Sequence, residues 1–156
     1  MAQTNKLVEI ELDRSSIKKW APQVEHEREV AIFDLLESNS FKLVDGFDGP
    51  YKLVLGLRDN NLVFSVSGTS GTGETEFKLS AKPLKRIIKD YFMICENYFQ
   101  AIKGATSHRI QTLDMTRRAM HDEGAAMLGD ALAKQILTDT DTKRRLFTLV
   151  CVLHVR

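Results

Sequence analysis

Two short segments of the chain carry most of the side chains that could do chemistry. Arginine presents forked N–H donors that match phosphate and carboxylate oxygens, while histidine and carboxylates can exchange protons or hold a metal ion. The first segment is Glu-His-Glu-Arg at residues 25–28, and the second runs from residue 114 to residue 123. The candidate ligand-binding residues in these segments are His26, Glu27, Arg117, Arg118, His121 and Glu123.

The spacing in the second segment favours a single helical face. Asp114, Arg117, Arg118 and His121 stand at positions i, i+3, i+4 and i+7, which lie on one side of a helix. Such a face could bind an anion, but it could also be a solvated surface on which Asp114 pairs with the two arginines. Ion pairs of this kind are common and weak, about 0.2–0.5 kcal/mol each, so the solvated surface is the favoured interpretation.

The sequence contains no recognisable catalytic or metal-binding signature. Neither His26 nor His121 has the second histidine four residues away that a zinc-binding helix uses, and Cys95 stands among apolar neighbours, where burial keeps a thiol inert. The glycines of residues 68–73 lead into a strand pattern at Glu74 rather than into a helix, so they predict a hairpin loop. The sequence predicts no metal and no cofactor. It leaves open whether the protein is an enzyme, and it favours a protein that is not one.

The charge of the chain is nearly balanced, which disfavours nucleic acid as a partner. Its 156 residues include 22 Lys and Arg against 21 Asp and Glu, a formal charge of +1, whereas nucleic-acid binding relies on concentrated positive charge. The balance conceals a gradient, because residues 1–50 carry −4, residues 51–103 carry +3 and residues 104–156 carry +2. This segregation fits either complementarity between packed helices or an exposed face that orients a partner.

Neither a membrane span nor a secretory leader is predicted. The longest candidate stretch, Leu146–Val155, has ten residues, whereas a bilayer span needs about 20. The start of the chain lacks the apolar run behind basic residues that marks a secretory signal. Cys95 and Cys151 both stand among apolar residues, which is typical of buried thiols rather than of a disulfide. These features predict a cytoplasmic protein.

The hydrophobic periodicity predicts an α+β fold in one domain covering residues 1–156. Alternating apolar residues predict strands, and apolar residues at helical spacing predict helices. The predicted strands are residues 6–12, 51–57, 62–67 and 74–81, and the predicted helices are residues 23–37, 83–103, 107–136 and 143–156, with a helical turn at residues 15–20. We expect a small antiparallel sheet of about four strands, in the chain order β-α-β-β-β-α-α-α, covered by helices on one face.

Some local features sharpen this expectation. The helix over residues 83–103 has a wide apolar arc, which predicts a central position. A break is expected near Gly124, within the helix predicted for residues 107–136. Residues 59–61, Asp-Asn-Asn, predict a tight hairpin connection. The last segment, residues 143–156, fits both a helix and a strand, and Asp141 ahead of three basic residues favours the helix by a small margin.

Several quoted segments also occur together in a known family. The segments are residues 24–28 and 30–36, Gly49-Pro50-Tyr51, Lys89-Asp90-Tyr91-Phe92, Ile94-Cys95-Glu96, Arg117-Arg118 with His121 and Glu123-Gly124, and residues 144–149 and 151–154. In these segments the chain resembles the bacterial uncharacterised protein family 262 over nearly its whole length. The resemblance implies a bacterial, cytoplasmic, single-domain protein, and it transfers no activity, cofactor or catalytic residue.

Two functional hypotheses follow. The first is a non-catalytic interaction or regulatory module, which binds a protein partner or a second copy of itself through its apolar helices. The alternative is a small-molecule binding protein or enzyme, in which Arg117, Arg118 and His121 bind a phosphate- or carboxylate-bearing ligand and Glu27 or Glu123 acts as acid or base. The lack of a nucleophile favours the first hypothesis, whereas convergence of the candidate residues in one cleft would favour the second.

Overall fold

The computed structural model describes residues 4–13 and 22–155. The predicted helical turn at residues 15–20 lies outside these ranges. The strands are β1 (Leu7–Leu12), β2 (Phe41–Leu43), β3 (Tyr51–Arg58), β4 (Asn61–Gly68), β5 (Glu74–Ser80) and β6 (Ile136–Thr138). The helices are α1 (Pro22–Glu37), α2 (Lys82–Ile102), α3 (Ser107–Leu132) and α4 (Thr140–Leu153). The predicted α+β class is confirmed.

Strands β1, β3, β4 and β5 form one sheet in that spatial order. The hairpins β3–β4 and β4–β5 are antiparallel, as predicted, but β1 runs parallel to β3, with Ile10 opposite Leu53. The sheet is mixed rather than antiparallel throughout. The cause is the connection between the two strands: α1 and β2 return the chain to the end of the sheet where β1 began, and parallel pairing needs such a crossover.

The turn between β3 and β4 matches its prediction. Asp59 and Asn60 have φ angles of 52° and 64°, in the left-handed region that Asn and Asp tolerate better than most residues. Two such residues twist in the same sense as the strands they join, which makes this the favoured short hairpin turn. The hairpins bring Phe64 of β4 and Phe77 of β5 into a stack with ring centroids 5.0 Å apart.

A second, two-stranded sheet of β2 and β6 was not predicted, because three residues are too few to show a period. It joins the start of α4 to the loop after α1. The Ser40 N–H donates to the Thr142 hydroxyl (3.0 Å), and the Thr138 hydroxyl donates to the Ser40 carbonyl oxygen (2.6 Å). Asp139 caps α4 by accepting from the Thr142 N–H at 2.8 Å. These bonds hold the first turns of α4 beside the end of α1.

The burial of α2 differs from the sequence-based expectation. Helix α2 is not central, because Leu84 and Ile88 in its first turns are buried while Met93 and Ile102 are more than half exposed. Its main neighbour is α3, so part of its wide apolar arc remains at the surface. On α1, Leu35 is buried, whereas Phe33 is 62% exposed.

Helices α3 and α4 pack closely through a glycine. Gly124 does not interrupt α3, which is continuous from Ser107 to Leu132. It is buried, and a Cβ added there would overlap the ring of Phe147 on α4, so glycine permits a close approach of the two helices. Residues 140–153 are helical, which confirms the favoured interpretation of the last segment. No helix in the described ranges is both long and apolar enough to cross a membrane.

Candidate functional site

An open cleft of about 510 Å³ lies where the four helices meet. Its lining contains four arginines but only two carboxylates, which concentrates positive charge in the cleft. The lining residues are His26, Glu27, Val30, Ala31 and Asp34 of α1, Tyr91 of α2, Arg117, Arg118 and His121 of α3, and Arg144, Arg145 and Thr148 of α4.

The four arginines that line the cleft belong to a sequence pattern that occurs twice. Helix α3 carries Arg-Arg-x-x-His at residues 117–121, and α4 carries Arg-Arg-x-x-Thr at residues 144–148. Positions i, i+1 and i+4 span about 100° around a helix, so each helix presents two guanidiniums and a smaller polar group on the same side. The two patterns meet at their last residues, where His121 Nε2 lies 2.8 Å from Thr148 Oγ1.

The two arginines of α3 are held by Asp114, as the solvated-surface interpretation predicts. One carboxylate oxygen lies 2.5 Å from Arg117 Nη2 and the other 3.2 Å from Arg118 Nε. The hydrogen bond from Arg117 lowers the pKa of Asp114. The guanidinium carbon of Arg117 also lies 4.7 Å from the centroid of the Tyr98 ring, in a cation–π arrangement. The predicted ion pairs are confirmed, and both arginines nevertheless line the cleft.

The two arginines of α4 make few contacts for the number of N–H donors they carry. Arg144 Nε lies 3.1 Å from Asp122 of α3. Arg145 donates through Nη1 to the carbonyl oxygen of Ser38 at 3.3 Å, and it forms no ion pair with any carboxylate in the described part of the chain. A guanidinium has five N–H donors, so Arg145 has donors available for a bound anion.

His121 is neutral and packs against two aromatic rings. Its ring centroid lies 5.4 Å from that of Tyr91 and 5.2 Å from that of Phe147. Burial lowers the pKa of His121 to about 4, and the positive charge of Arg144 acts in the same direction. The Thr148 hydroxyl, which lies 2.8 Å from His121 Nε2, also lies 3.3 Å from the carbonyl oxygen of Arg144. At neutral pH His121 adds no positive charge to the cleft.

Glu27 is the carboxylate of the cleft whose protonation is most easily changed. Partial burial raises its pKa, and the charges of Arg117 and His26 oppose this rise. An anion bound nearby would raise the pKa further, because it disfavours the ionised carboxylate. The acidic and imidazole groups do not form a metal site: across residues 4–13 and 22–155, no three His, Cys, Asp or Glu side chains are grouped to hold an ion.

The fold brings five of the six predicted site residues together. His26, Glu27, Arg117, Arg118 and His121 all line the cleft, whereas Glu123 lies outside it and is exposed. The reason is helical geometry, since a residue two positions after His121 points about 200° away around the helix. The role of acid or base assigned to Glu123 in the small-molecule hypothesis therefore has no geometric support.

Five of the polar and aromatic residues that line the cleft are not among the site residues predicted from the sequence. These are Asp34, Tyr91, Arg144, Arg145 and Thr148. Arg144 and Arg145 belong to the three basic residues that follow Asp141 in the sequence. The repeated Arg-Arg-x-x-His and Arg-Arg-x-x-Thr spacing is the signal that could have identified the α4 residues, whereas no pattern in the sequence marks Tyr91 as a cleft residue rather than a core residue.

Proteins similar to this chain are bacterial. A UPF0262 protein of Rhodospirillum rubrum is 49% identical over 153 residues, which cover 98% of this chain and 94% of the relative. UPF0262 proteins of Mesorhizobium japonicum and Brucella suis biovar 1 are 54% and 52% identical over 152 residues, covering 97% of this chain and 94% of each relative. No solved structure matches the chain significantly. Since the model of the Uncharacterised protein family (UPF0262) matches residues 4–156, the chain belongs to this family.

Proposed function

We propose that the protein binds a small molecule bearing a phosphate or carboxylate group in the cleft between its four helices. The observation that carries this proposal is the convergence of Arg117, Arg118, Arg144 and Arg145 from two helices on one cavity. Arginine is favoured for such ligands because its planar fork matches the paired oxygens of carboxylate and phosphate. The volume of about 510 Å³ is in the range of small-molecule sites.

The lining of the cleft contains two more arginines than carboxylates. Asp114 is shared by two arginines and Asp122 pairs with one, which leaves Arg145 without a carboxylate partner among the described residues. Like charges held close together on a folded surface repel one another, and a bound anion relieves that repulsion. This imbalance distinguishes the cleft from an ordinary solvated helix face, where opposite charges pair one to one.

The binding chemistry does not require catalysis. His121 is neutral and pairs with Thr148, and Cys95 has a pKa that burial raises, which keeps the thiol protonated. Neither residue is an activated nucleophile. We therefore propose a binding site rather than a hydrolytic or group-transfer centre.

Isothermal titration calorimetry with inorganic phosphate, pyrophosphate and citrate tests the proposal. We expect at least one of these anions to bind, with an affinity that falls as the salt concentration rises. The variants Arg118→Gln and Arg145→Gln each remove one charged donor, and a charge-assisted hydrogen bond contributes about 1.5–3 kcal/mol. Because the Arg118 side chain is 69% exposed, we expect its loss to weaken binding by about tenfold, at the low end of that range.

The matched control is Arg86→Gln on α2. The Arg86 side chain is 94% exposed, lies outside the cleft and pairs with Asp90 at 4.0 Å. Arg86→Gln removes the same charge from the molecule as Arg118→Gln does. Because the charge is removed outside the cleft, the affinity should be unchanged. Absence of binding by all three anions would refute the proposal. Equal weakening by Arg86→Gln and Arg118→Gln would also refute it, because the effect would then reflect net charge and not the cleft.

The interaction-module hypothesis drawn from the sequence stays a prediction. The surface that a protein partner could use is the exposed apolar side of α1, formed by Val30, Phe33 and Leu36, which are 45%, 62% and 37% exposed. Light scattering of the wild-type protein and of Phe33→Ser tests self-association through this surface. A monomer at all concentrations would exclude the homo-oligomer.

A further inference from the structure

We infer that the anionic ligand also carries a short apolar group, which enters a pocket opening from the wall of the cleft. This inference rests on the proposed anion-binding function and specifies the chemical class of its ligand. A second, more enclosed cavity of about 120 Å³ lies beside the cleft. Glu27, Tyr91 and Thr148 line both cavities, so one molecule can occupy the two spaces at once.

The second cavity, here called the thiol pocket, has an apolar interior. Beyond the three shared residues its walls are Val24, Phe92, Cys95, Phe99, Cys151, Val152 and Val155. Burial raises the pKa of both Cys95 and Cys151, so both thiols are protonated and behave as small apolar groups. The polar side chains of the thiol pocket all lie on the side that faces the cleft.

The size of the thiol pocket limits the apolar group. A cavity of about 150 Å³ lined by Leu, Ile and Phe binds benzene, so a pocket of about 120 Å³ has room for one small ring or a chain of about four to six carbons. Such a cavity is unfavourable when empty, because the atoms lining it have no contact partners. An apolar group of the ligand would restore those contacts, whereas a purely polar anion would leave them unmade.

The arrangement specifies which end of the ligand lies where. The guanidiniums of Arg118 and Arg145 are on the cleft side, and the thiol pocket has no basic side chain in its walls. The ligand is therefore an amphiphilic anion, such as an alkyl or aryl phosphate or a medium-chain carboxylate. Its charged group remains in the open cleft, where water can reach it, and its hydrocarbon part passes between Tyr91 and Thr148.

Titration calorimetry with a homologous series tests this inference. Methyl, propyl, butyl and hexyl phosphate share one charged group and differ only in chain length. We expect the affinity to rise by about threefold to fourfold for each methylene that is buried, up to about six carbons. The heat-capacity change of binding should become more negative along the series, since this is the mark of apolar burial.

Two variants locate the chain in the thiol pocket. Val24→Phe adds bulk to a half-buried wall residue on α1, and Val155→Phe does the same just beyond the end of α4, where the fold depends less on packing. Each should abolish the gain between methyl and hexyl phosphate while methyl phosphate binds as before. The control, Val44→Phe, makes the same change at a residue outside both cavities and should preserve the gain.

The possible outcomes separate the two proposals. If none of the phosphates binds, the proposed anion site is wrong and the thiol-pocket inference falls with it. If methyl and hexyl phosphate bind equally well, the anion site stands and the inference is overturned. If hexyl phosphate binds better but the gain persists in both Val24→Phe and Val155→Phe, the chain lies elsewhere and the inference is again overturned.

Discussion

Gly124→Ala is the substitution that most directly tests how α3 and α4 shape the cleft. A Cβ at residue 124 would lie 2.6 Å from both Cε atoms of Phe147, whereas ordinary contact begins at 3.4 Å. The Cζ atom of Phe147 would be closer still, so the two groups would have to separate by more than 0.8 Å. Phe147 is fully buried, with the rings of His121 and Tyr91 at centroid distances of 5.2 and 6.3 Å, so it cannot move without displacing them.

The expected loss of stability combines two opposing effects. Overpacking a filled core costs about 1–3 kcal/mol, while alanine is favoured over glycine within a helix by about 1 kcal/mol. Because the obstacle is a buried ring rather than a mobile side chain, we expect a net loss of about 1–2 kcal/mol in the free energy of unfolding. Urea denaturation followed by circular dichroism measures this loss as a lower midpoint at unchanged slope.

Gly129→Ala is the matched control in the same helix. A Cβ there would meet Cδ and Cε of Lys143 at 2.7 and 2.8 Å, and a lysine side chain can swing away at little cost. We expect this variant to be as stable as the wild type or up to about 1 kcal/mol more stable, because only the helix-propensity term remains. The reasoning is refuted if Gly124→Ala and Gly129→Ala have the same unfolding free energy.

A second readout connects the packing to the cleft. His121 has a pKa lowered to about 4 by burial. If Gly124→Ala displaces Phe147, water reaches the imidazole and its pKa should rise towards the ordinary value of 6.5. NMR titration of the His121 ring protons measures this change, and the pKa should stay near 4 in Gly129→Ala.

Two further predictions concern the protonation of the cleft and the core. Sulfate keeps a constant charge from pH 8 to pH 5, and it should bind the His26→Gln variant more tightly as the pH falls. The reason is that Glu27, whose pKa is raised, becomes protonated and no longer repels the anion. Titration calorimetry should show this dependence vanish in His26→Gln/Glu27→Gln, because burial holds the pKa of His121 at about 4, below this pH range. Tyr51→Phe should lower the free energy of unfolding, measured in urea, by about 1–3 kcal/mol, because the buried hydroxyl donates to the Phe47 carbonyl oxygen at 2.9 Å; an unchanged midpoint would contradict this reasoning.

Most of the elements could be predicted because their signals are local. The alternation in residues 51–57 and 62–67 depends only on which side chains point to the same face of a strand. The residues at the ends of these elements act within a single turn, as Asp139 does when it caps α4 and Asp59 does in the hairpin.

The departures from prediction arise where a segment's partner is distant in the chain. Strand β1 pairs in parallel with β3 because of the crossover between them, and the alternation of residues 6–12 carries no information about direction. Gly124 marks a close contact with α4 rather than the end of a helix, because local preference for a break is weaker than the packing that surrounds it.

For the candidate site, the sequence by itself determined the kinds of side chain and their faces. Arg117, Arg118 and His121 share one side of a helix because their spacing requires it. Only the tertiary structure decided that Arg144 and Arg145 join them and that Glu123 does not. It also decided the charge of the cleft, because the burial that keeps His121 neutral comes from rings on other helices. Spacing is a property of the chain, whereas proximity and solvent exclusion exist only once the helices have packed.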